Sequence, residues 1–179
     1  MTQPAITYRF MTEADLEAVG ALAHRIWHAH YPSIITVAQI DYMLAKSYTP
    51  ESLARQLREG QRFLLAFAGN SLLGFLSVGA LEKITDPILR GEKVQLGDYF
   101  LHKFYIAPEA QGSGLGTSLL DAMLRQMPEI RRLRLQVARA NVNSWNFYLK
   151  RGFTIEAEAD FPIGDGYVMK DYVMEKRIA

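Results

Sequence analysis

The fold of this chain is decided by the stretch Tyr105–Thr117, which reads YIAPEAQGSGLGT. A strand-like run ends at Pro108, a glycine-rich turn follows, and an amphipathic helix begins within that turn. Glycine has no Cβ, so backbone N–H groups in such a turn can approach a ligand closely. The N-terminus of a helix adds unpaired donors and a partial positive charge. The stretch therefore predicts a cradle for an anion such as a pyrophosphate.

A glycine-rich turn between a strand and a helix is a weak signal by itself, because a tight connection that binds nothing also needs glycine. A Walker loop requires Lys followed by Ser or Thr after its last glycine, whereas Gly116 is followed by Thr117 and Ser118. A dinucleotide-binding fold normally carries its glycine turn after the first strand, whereas four predicted strands precede this one. Both classes are disfavoured, and the turn alone leaves a binding role and a structural role open.

A second motif follows about one strand later, where residues Asn141–Phe153 read NVNSWNFYLKRGF. With the spacing Gln-x-x-Gly-x-Gly at residues 111–116, this pattern resembles the GCN5-related N-acetyltransferase (GNAT) family. The family usually has Ala where this chain has Ser144, which exchanges one small residue for another. Both motifs stand in the family's order. Together with a predicted β-hairpin and two N-terminal helices, they extend the resemblance over essentially the whole chain. It implies the GNAT acyl-CoA acyltransferase fold.

Hydrophobic periodicity and turn residues outline the elements. Strands are predicted at residues 6–10, 63–68, 72–81, 98–106, 133–138, 153–157 and 170–176, with loops at 82–97 and 160–167. Helices are predicted after Thr12, Thr36 and Thr49, from about Gly114 to Met127, and over 141–151. The strand–helix–strand segment around the glycine turn implies a right-handed crossover between parallel strands. We expect a single α/β domain over 1–179, with one mixed, mostly antiparallel sheet of about seven strands flanked by four or five helices.

Composition restricts the classes of function. The chain has 179 residues, 49% of them hydrophobic, a formal net charge of +1 and no cysteine. Disulfides, thiolate metal sites and cysteine nucleophiles are excluded, and no global field attracts nucleic acid or membrane. No signal peptide or apolar span is evident, so we predict a cytoplasmic protein with no nucleic-acid or membrane partner. We interpret Arg132 and Arg134 as the solvated face of a strand.

The resemblance implies acetyl-CoA as co-substrate and no metal. Phe104 and Ile106 would supply backbone hydrogen bonds to the pantetheine arm and the thioester, and the turn would hold the pyrophosphate. Asn141 would contact the pantetheine. The full set of implied coenzyme-binding residues is Phe104, Tyr105, Ile106, Gln111, Gly112, Ser113, Gly114, Leu115, Gly116, Thr117, Asn141 and Asn143.

In this family a neutral amine attacks the thioester directly. An alkyl amine with a pKa near 10.4 is only ~0.1% neutral at pH 7.4, which costs about 4 kcal/mol. The resemblance implies that Tyr148 points at the sulfur and stabilises the leaving thiolate; a core aromatic beside Phe147 is the alternative. His102 is the candidate base, because it shares a strand face with Phe104 and Ile106 and histidine titrates near neutral pH. A packed core histidine is the competing interpretation.

The family's acceptor site lies between the first two helices, the strand that carries His102 and the last hairpin loop. The corresponding residues here are Trp27, Tyr31, Tyr42 and Asp165. Aromatic faces and carboxylates suit an organic cation, although Trp27 in the core and a solvated Asp165 are equally compatible with the pattern. The spacing Trp27-x-x-x-Tyr31 and the run from residue 161 to 176 show a looser resemblance to the bacterial polyamine acetyltransferases. This implies a spermidine-like or other small amine as acceptor.

Two rival functions use the same turn. A non-catalytic acyl-CoA sensor would report coenzyme levels to a partner, but intact Asn141 and Tyr148 disfavour it because a sensor needs no leaving-group acid. A nucleotide-binding structural domain would show no preference for coenzyme A over ATP. Homodimers are common in the family, and exposed strand edges permit one here.

Overall fold

The computed structural model describes residues 5–81 and 94–178. Its elements are β1 (Ile6–Phe10), α1 (Leu16–His30), α2 (Val37–Ser47), α3 (Pro50–Arg58), β2 (Arg62–Ala68), β3 (Ser71–Ala80), β4 (Asp98–Ile106), α4 (Leu115–Gln126), β5 (Arg132–Ala138), α5 (Val142–Lys150), β6 (Thr154–Gly164) and β7 (Tyr167–Arg177). The seven strands form one sheet in the order β1-β2-β3-β4-β5-β7-β6. β4 and β5 are parallel, whereas β1–β2, β2–β3, β5–β7 and β6–β7 are antiparallel. The predicted mixed sheet with a parallel crossover is confirmed, while most of the predicted loop 82–97 lies outside the described residues.

Contacts between residues divide the chain into two compact units. Unit 1 comprises Met1–Val78 and Lys103–Gln126, and unit 2 comprises Gly79–His102 and Met127–Ala179. β4 therefore begins in unit 2 and ends in unit 1. The single domain over 1–179 stays a prediction.

The helices of unit 1 begin where the sequence places its capping residues. Thr36 Oγ1 accepts a hydrogen bond of 3.2 Å from the backbone N–H of Gln39, and Thr49 Oγ1 accepts one of the same length from Ser52. Each threonine satisfies a backbone donor that the first turn of a helix leaves without a partner. Pro50 follows at the first helical position, where its missing N–H costs nothing. Local chemistry thus sets the start of α2 and α3.

The core of unit 1 lies between these helices and the first strands. Its buried side chains come from α1, α2, α3, β2 and β3, and they include Val19, Ile26, Trp27, Ile40, Leu44, Leu53, Phe63, Leu65 and Phe75. Helix α4 carries its own buried stripe, namely Leu115, Leu119, Ala122 and Met123, as the spacing predicts. These apolar faces hold the end of β4 and the start of α4 in place.

Unit 2 contradicts the interpretation of Arg132 and Arg134 as a solvated face. Arg134 is only 4% exposed. The Arg132 guanidinium forms two ion pairs, one from Nη2 to Asp98 Oδ2 at 2.6 Å and one from Nη1 to Glu175 Oε2 at 3.1 Å. Arg134 Nη2 lies 3.3 Å from the same Glu175 oxygen. The prediction was wrong because alternation shows which residues share a face, whereas burial depends on what covers that face. Here acidic partners on β4 and β7 make burial of the arginines tolerable.

The last hairpin also differs from the prediction. β6 and β7 extend to Gly164 and from Tyr167, so the predicted loop over 160–167 shrinks to a turn of two residues, Asp165 and Gly166. Both have positive φ, +52° and +75°. Left-handed geometry at both central residues matches the tight hairpin turn for which Asp-Gly is a favoured pair. The dipeptide was the signal that the prediction overlooked.

Candidate active site

The glycine turn of unit 1 leaves its outer side open. Gly112 and Gly114 have φ values of +74° and +86°, which side chains rarely adopt. A Cβ built at either position meets no other atom within 4 Å. A ligand can therefore approach the backbone here, directly before the N-terminus of α4 at Leu115. The arrangement fits a pyrophosphate, because backbone donors and the helix dipole both favour an anion.

Side chains within the turn brace it from inside. Ser113 Oγ donates a hydrogen bond of 2.7 Å to the carbonyl oxygen of Ala110 and accepts one of 3.3 Å from the Leu115 N–H. Gln111 Nε2 donates to the carbonyl oxygen of Ile106 at 3.2 Å, so the end of β4 is joined to the turn. Both side chains preorganise the loop. The sequence motif did not reveal this bracing role.

The other predicted coenzyme-binding residues of unit 1 differ in how far they are exposed to solvent. Leu115 is 4% exposed and belongs to the core, so its side chain is not available to a ligand. Gly116 and Thr117 are half-buried in the first turn of α4, and Phe104, Tyr105 and Ile106 are half-buried at the end of β4. The structure thus brings Phe104–Ile106 and Gln111–Thr117 together around one strand-to-helix connection.

An aromatic cluster lies behind the predicted acceptor residues of unit 1. The rings of Trp27 and Tyr31 stack with centroids 4.4 Å apart, and Trp27 also contacts Tyr48 and Tyr105 at 5.7 and 6.1 Å. Trp27 is only 3% exposed, whereas Tyr31 is half-buried. Tyr42 stands apart on α2, where Lys46 Nζ lies 5.4 Å from its ring centroid. Tyr31 and Tyr42 thus have accessible ring surface that a ligand could contact, while buried Trp27 packs against one face of the Tyr31 ring.

Tyr48 and Lys103 also belong to this region, although the sequence assigned neither of them a role in the site. The Tyr48 hydroxyl donates to the Tyr105 hydroxyl at 3.1 Å, and burial raises the pKa of Tyr48. Lys103, on β4, is buried, and its Nζ lies 5.2 Å from the ring centroid of Tyr48 and 5.7 Å from that of Phe63. Burial lowers the pKa of Lys103 to about 7. Lysine is rarely buried, so the residue type alone gave no indication of this environment.

Unit 2 holds the predicted acid, Tyr148, on α5. Its ring packs edge-on against Phe147 and Phe153, with centroids 5.5 and 5.4 Å away, and it is 9% exposed. Asn141 is 5% exposed and caps α5, because its Oδ1 accepts a hydrogen bond of 3.3 Å from the Ser144 N–H. Asn143 lies exposed in the first turn. Capping is a role for Asn141 that the resemblance did not imply.

His102 is the last residue of β4 that belongs to unit 2. It is half-buried, with its ring centroid 5.0 Å from that of Phe100. The register between β4 and β5 consists of the three pairs from Asp98↔Arg132 to Phe100↔Arg134, and β4 continues to Ile106 beyond them. Asp165 lies exposed at the hairpin turn described above. Of the predicted site residues, unit 2 thus holds His102, Asn141, Asn143, Tyr148 and Asp165.

The described part of the chain shows neither a metal site nor a membrane-spanning helix. Within residues 5–81 and 94–178, no group of three or more His, Cys, Asp or Glu side chains is arranged to hold a metal ion. None of the helices in that part of the chain combines the length and the apolar character needed to cross a membrane.

The family is settled by comparison with known proteins. The model of the acetyltransferase (GNAT) family matches residues 15–153. The chain belongs to this family. It is an acetyl-CoA-dependent N-acetyltransferase that acts on amines, and the predicted fold, enzyme class and co-substrate are confirmed.

Individual GNAT proteins resemble the chain, some of them over nearly its whole length. It is 27% identical to a spermidine N(1)-acetyltransferase of Thermoplasma acidophilum over 97% of this chain and 98% of that one. A spermine/spermidine N(1)-acetyltransferase of Bacillus subtilis is 31% identical over 36% of this chain and 45% of its own length. The crystal structure of the PaiA N-acetyltransferase from T. acidophilum in complex with coenzyme A superposes with a TM-score of 0.76 at 26% identity, covering 97% and 99% of the two chains. A GCN5-related N-acetyltransferase from Rhodopseudomonas palustris, at 19% identity and a TM-score of 0.74 over 99% of each chain, supports the fold alone.

Proposed function

We propose that this GNAT enzyme acetylates spermidine-like polyamines or other small aliphatic amines. The observation that carries the proposal is the end-to-end similarity to the spermidine N(1)-acetyltransferase of T. acidophilum. The aromatic surface of unit 1 supports it, because Tyr31, backed by Trp27, offers a ring face of the kind that attracts organic cations. Tyr42 on α2 and Asp165 in the hairpin turn complete the proposed acceptor contacts.

Acetyl-CoA supplies an activated thioester, and the chain's own residues do the rest. In unit 1 the backbone of Phe104, Tyr105 and Ile106 would orient the pantetheine arm. The backbone donors of the turn, Gln111, Gly112, Ser113, Gly114, Leu115, Gly116 and Thr117, would hold the diphosphate. In unit 2 Asn141 and Asn143 would add contacts from the start of α5.

Two side chains are proposed for proton handling. His102 would accept the proton that the attacking amine loses, since a neutral imidazole is a competent base near pH 7. Tyr148 would donate a hydrogen bond to the departing sulfur. A thiol pKa near 8.5 against a phenol pKa near 10 makes full proton transfer uphill by roughly 2 kcal/mol, so stabilisation rather than transfer is expected. The packing of Tyr148 against Phe147 and Phe153 would limit its motion and favour one orientation.

The decisive experiment measures thiol release from acetyl-CoA with spermidine, spermine, single amino acids and short peptides, beside coenzyme A binding by calorimetry. We expect release with the polyamines at the lowest KM. Release with peptides alone would overturn the acceptor class. Binding of coenzyme A without release for any acceptor would favour the sensor. A cytoplasmic location and a homodimer stay predictions from the sequence.

A further inference from the structure

Unit 2 contains a buried carboxylate that none of the roles above employs. Asp171, on β7, is 5% exposed, and its Oδ1 has no hydrogen-bond partner among the described residues. Buried carboxylates are normally paired or hydrogen-bonded, because losing hydration is costly. The other two buried carboxylates of the described part of unit 2, Asp98 and Glu175, both lie against arginines. Asp171 therefore lacks the ion pair with arginine that its counterparts have.

The neighbours of Asp171 in the sheet are small. The register places it opposite Ala138 of β5 and opposite Ala159 of β6, and directly paired residues point to the same face. Arg139 forms its hydrogen bonds with other residues, since its guanidinium donates to the carboxylates of Glu158 at 2.9 Å and Asp160 at 2.5 Å. Asp160 is paired with Lys170, so it occupies the opposite, exposed face of the hairpin. Two methyl side chains thus flank the carboxylate in the sheet, and neither can donate a hydrogen bond to it.

Apolar side chains continue this face along the hairpin. Phe161 and Met169 form the next pair toward the turn, and Ala157 and Val173 form the pair on the other side. All four are buried or half-buried, whereas the alternate residues of β6 are exposed. A single carboxylate inside an apolar surface suits an ammonium group carried on a methylene chain. It does not suit a hard divalent cation, which requires several oxygen ligands.

We propose that Asp171 binds an ammonium group of the amine acceptor that stays protonated throughout the reaction. This inference rests on the proposed function and makes it more specific. The nitrogen that attacks the thioester must be neutral, whereas contact with a carboxylate favours the charged form. Asp171 therefore suits a second nitrogen of the same acceptor. The enzyme is accordingly specific for diamines and polyamines over monoamines.

Charge and position within unit 2 agree with this assignment. Burial raises the pKa of Asp171 to about 6, with Asp160 adding to the effect and Arg139 opposing it, so the group is ionised at neutral pH. His102 lies on the same face of the sheet, because it alternates with Asp98 and Phe100, whose partners on β5 share the face of Asp171. β5 separates β4 from β7, which puts the two strand axes roughly 10 Å apart. An extended diamine spans a distance of this order.

The test compares Asp171→Asn with the unmodified enzyme on spermidine and on an n-alkyl monoamine of similar length. We expect the KM for spermidine to rise about tenfold to a hundredfold, which is the usual effect of losing a charge-assisted hydrogen bond. The KM for the monoamine and kcat for both acceptors should stay unchanged. Glu156→Gln, which removes an exposed carboxylate of β6, is the matched control for net charge and should change neither KM. An equal effect of Asp171→Asn on both acceptors, or no effect, would overturn the proposal.

Equilibrium binding separates this proposal from the proposed function. Spermidine is titrated calorimetrically into each protein saturated with coenzyme A, and the Asp171 carboxyl carbon of the unmodified protein is followed by NMR against pH. Weaker binding to Asp171→Asn, with a lower Asp171 pKa when spermidine is present, supports the inference even if no acetyl group is transferred. An unchanged pKa on addition of saturating spermidine overturns it, and this measurement does not depend on the folding of any variant.

Discussion

Lys103 Nζ donates a hydrogen bond of 2.6 Å to Oε1 of Gln56, and this bond joins β4 to α3 inside unit 1. Gln56 also links α3 to α2, because its Nε2 donates a hydrogen bond to the carbonyl oxygen of Ser47 at the end of α2. The Tyr48 hydroxyl adds a second link to β4 through Tyr105. The corner between α2 and α3 is thus fastened to the strand whose last residues precede the glycine turn.

The buried position of Lys103 predicts an unusual dependence of stability on pH. Its folded pKa of about 7 lies below the unfolded value near 10.4, so the unfolded chain binds more protons between these limits. The free energy of unfolding should therefore rise with pH, by about 2 kcal/mol between pH 7 and pH 9 from this group. Lys103→Met should remove that rise in urea unfolding measured at several pH values. The control variant Lys150→Met, at an exposed lysine of α5, should retain the rise in the free energy of unfolding. If the free energy of unfolding of Lys103→Met rose with pH as steeply as that of the unmodified protein, the lowered pKa of Lys103 would be contradicted.

The open geometry of the glycine turn predicts a separation of stability from binding. Gly112→Ala forces a side chain into left-handed backbone and should cost about 1 kcal/mol of stability, although its Cβ would meet no neighbour. Gly69→Ala, in the β2–β3 turn, is a matched control, because Gly69 also has positive φ, +58°, and open space around it. Only the Gly112 variant should bind coenzyme A more weakly in calorimetry. Equal affinities of the two variants would remove the turn from the site.

The hydroxyl of Tyr148 predicts an effect on turnover alone. Tyr148→Phe keeps the ring that packs on Phe147 and Phe153 and removes the proposed donor to the sulfur. We expect kcat to fall about a hundredfold, as for the loss of a donor that stabilises developing negative charge, with little change in acetyl-CoA affinity. Tyr172→Phe, at a half-buried tyrosine of β7 near Trp145, is the control and should leave kcat unchanged. Full turnover in Tyr148→Phe would exclude this residue from the mechanism.

The raised pKa of Asp171 predicts that the carboxylate destabilises the folded protein. Between its unfolded value near 3.9 and its folded value of about 6, the folded chain binds more protons, so the contribution of Asp171 to stability falls as pH rises. Asp171→Asn cannot ionise, so the free energy of unfolding of this variant should not show that fall with rising pH. The variant should therefore gain about 2 kcal/mol relative to the unmodified protein between pH 4 and pH 7. The check is urea unfolding of both proteins over that range, and a difference independent of pH would refute the prediction.

Features that depend on residues close in the chain could be predicted from the sequence. The caps at Thr36 and Thr49, the buried stripe of α4 and the strand Asp98–Ile106 followed from side-chain chemistry and spacing, because each depends on residues close in the chain. The two glycine motifs led to the family for the same reason. Where the prediction failed locally, at the Asp165–Gly166 turn, the signal was present and was overlooked.

The sequence by itself determined most of the elements, the family and the residues of the proposed coenzyme-binding turn. Only the tertiary structure decided which charged side chains are buried: Arg134 among acids, Lys103 beneath Tyr48 and Phe63, and Asp171 between two alanines. The physical reason is that alternation along a strand assigns a residue to a face, whereas the solvation of that face is set by strands and helices distant in the sequence. The charges that the fold buries are those that the sequence could not identify.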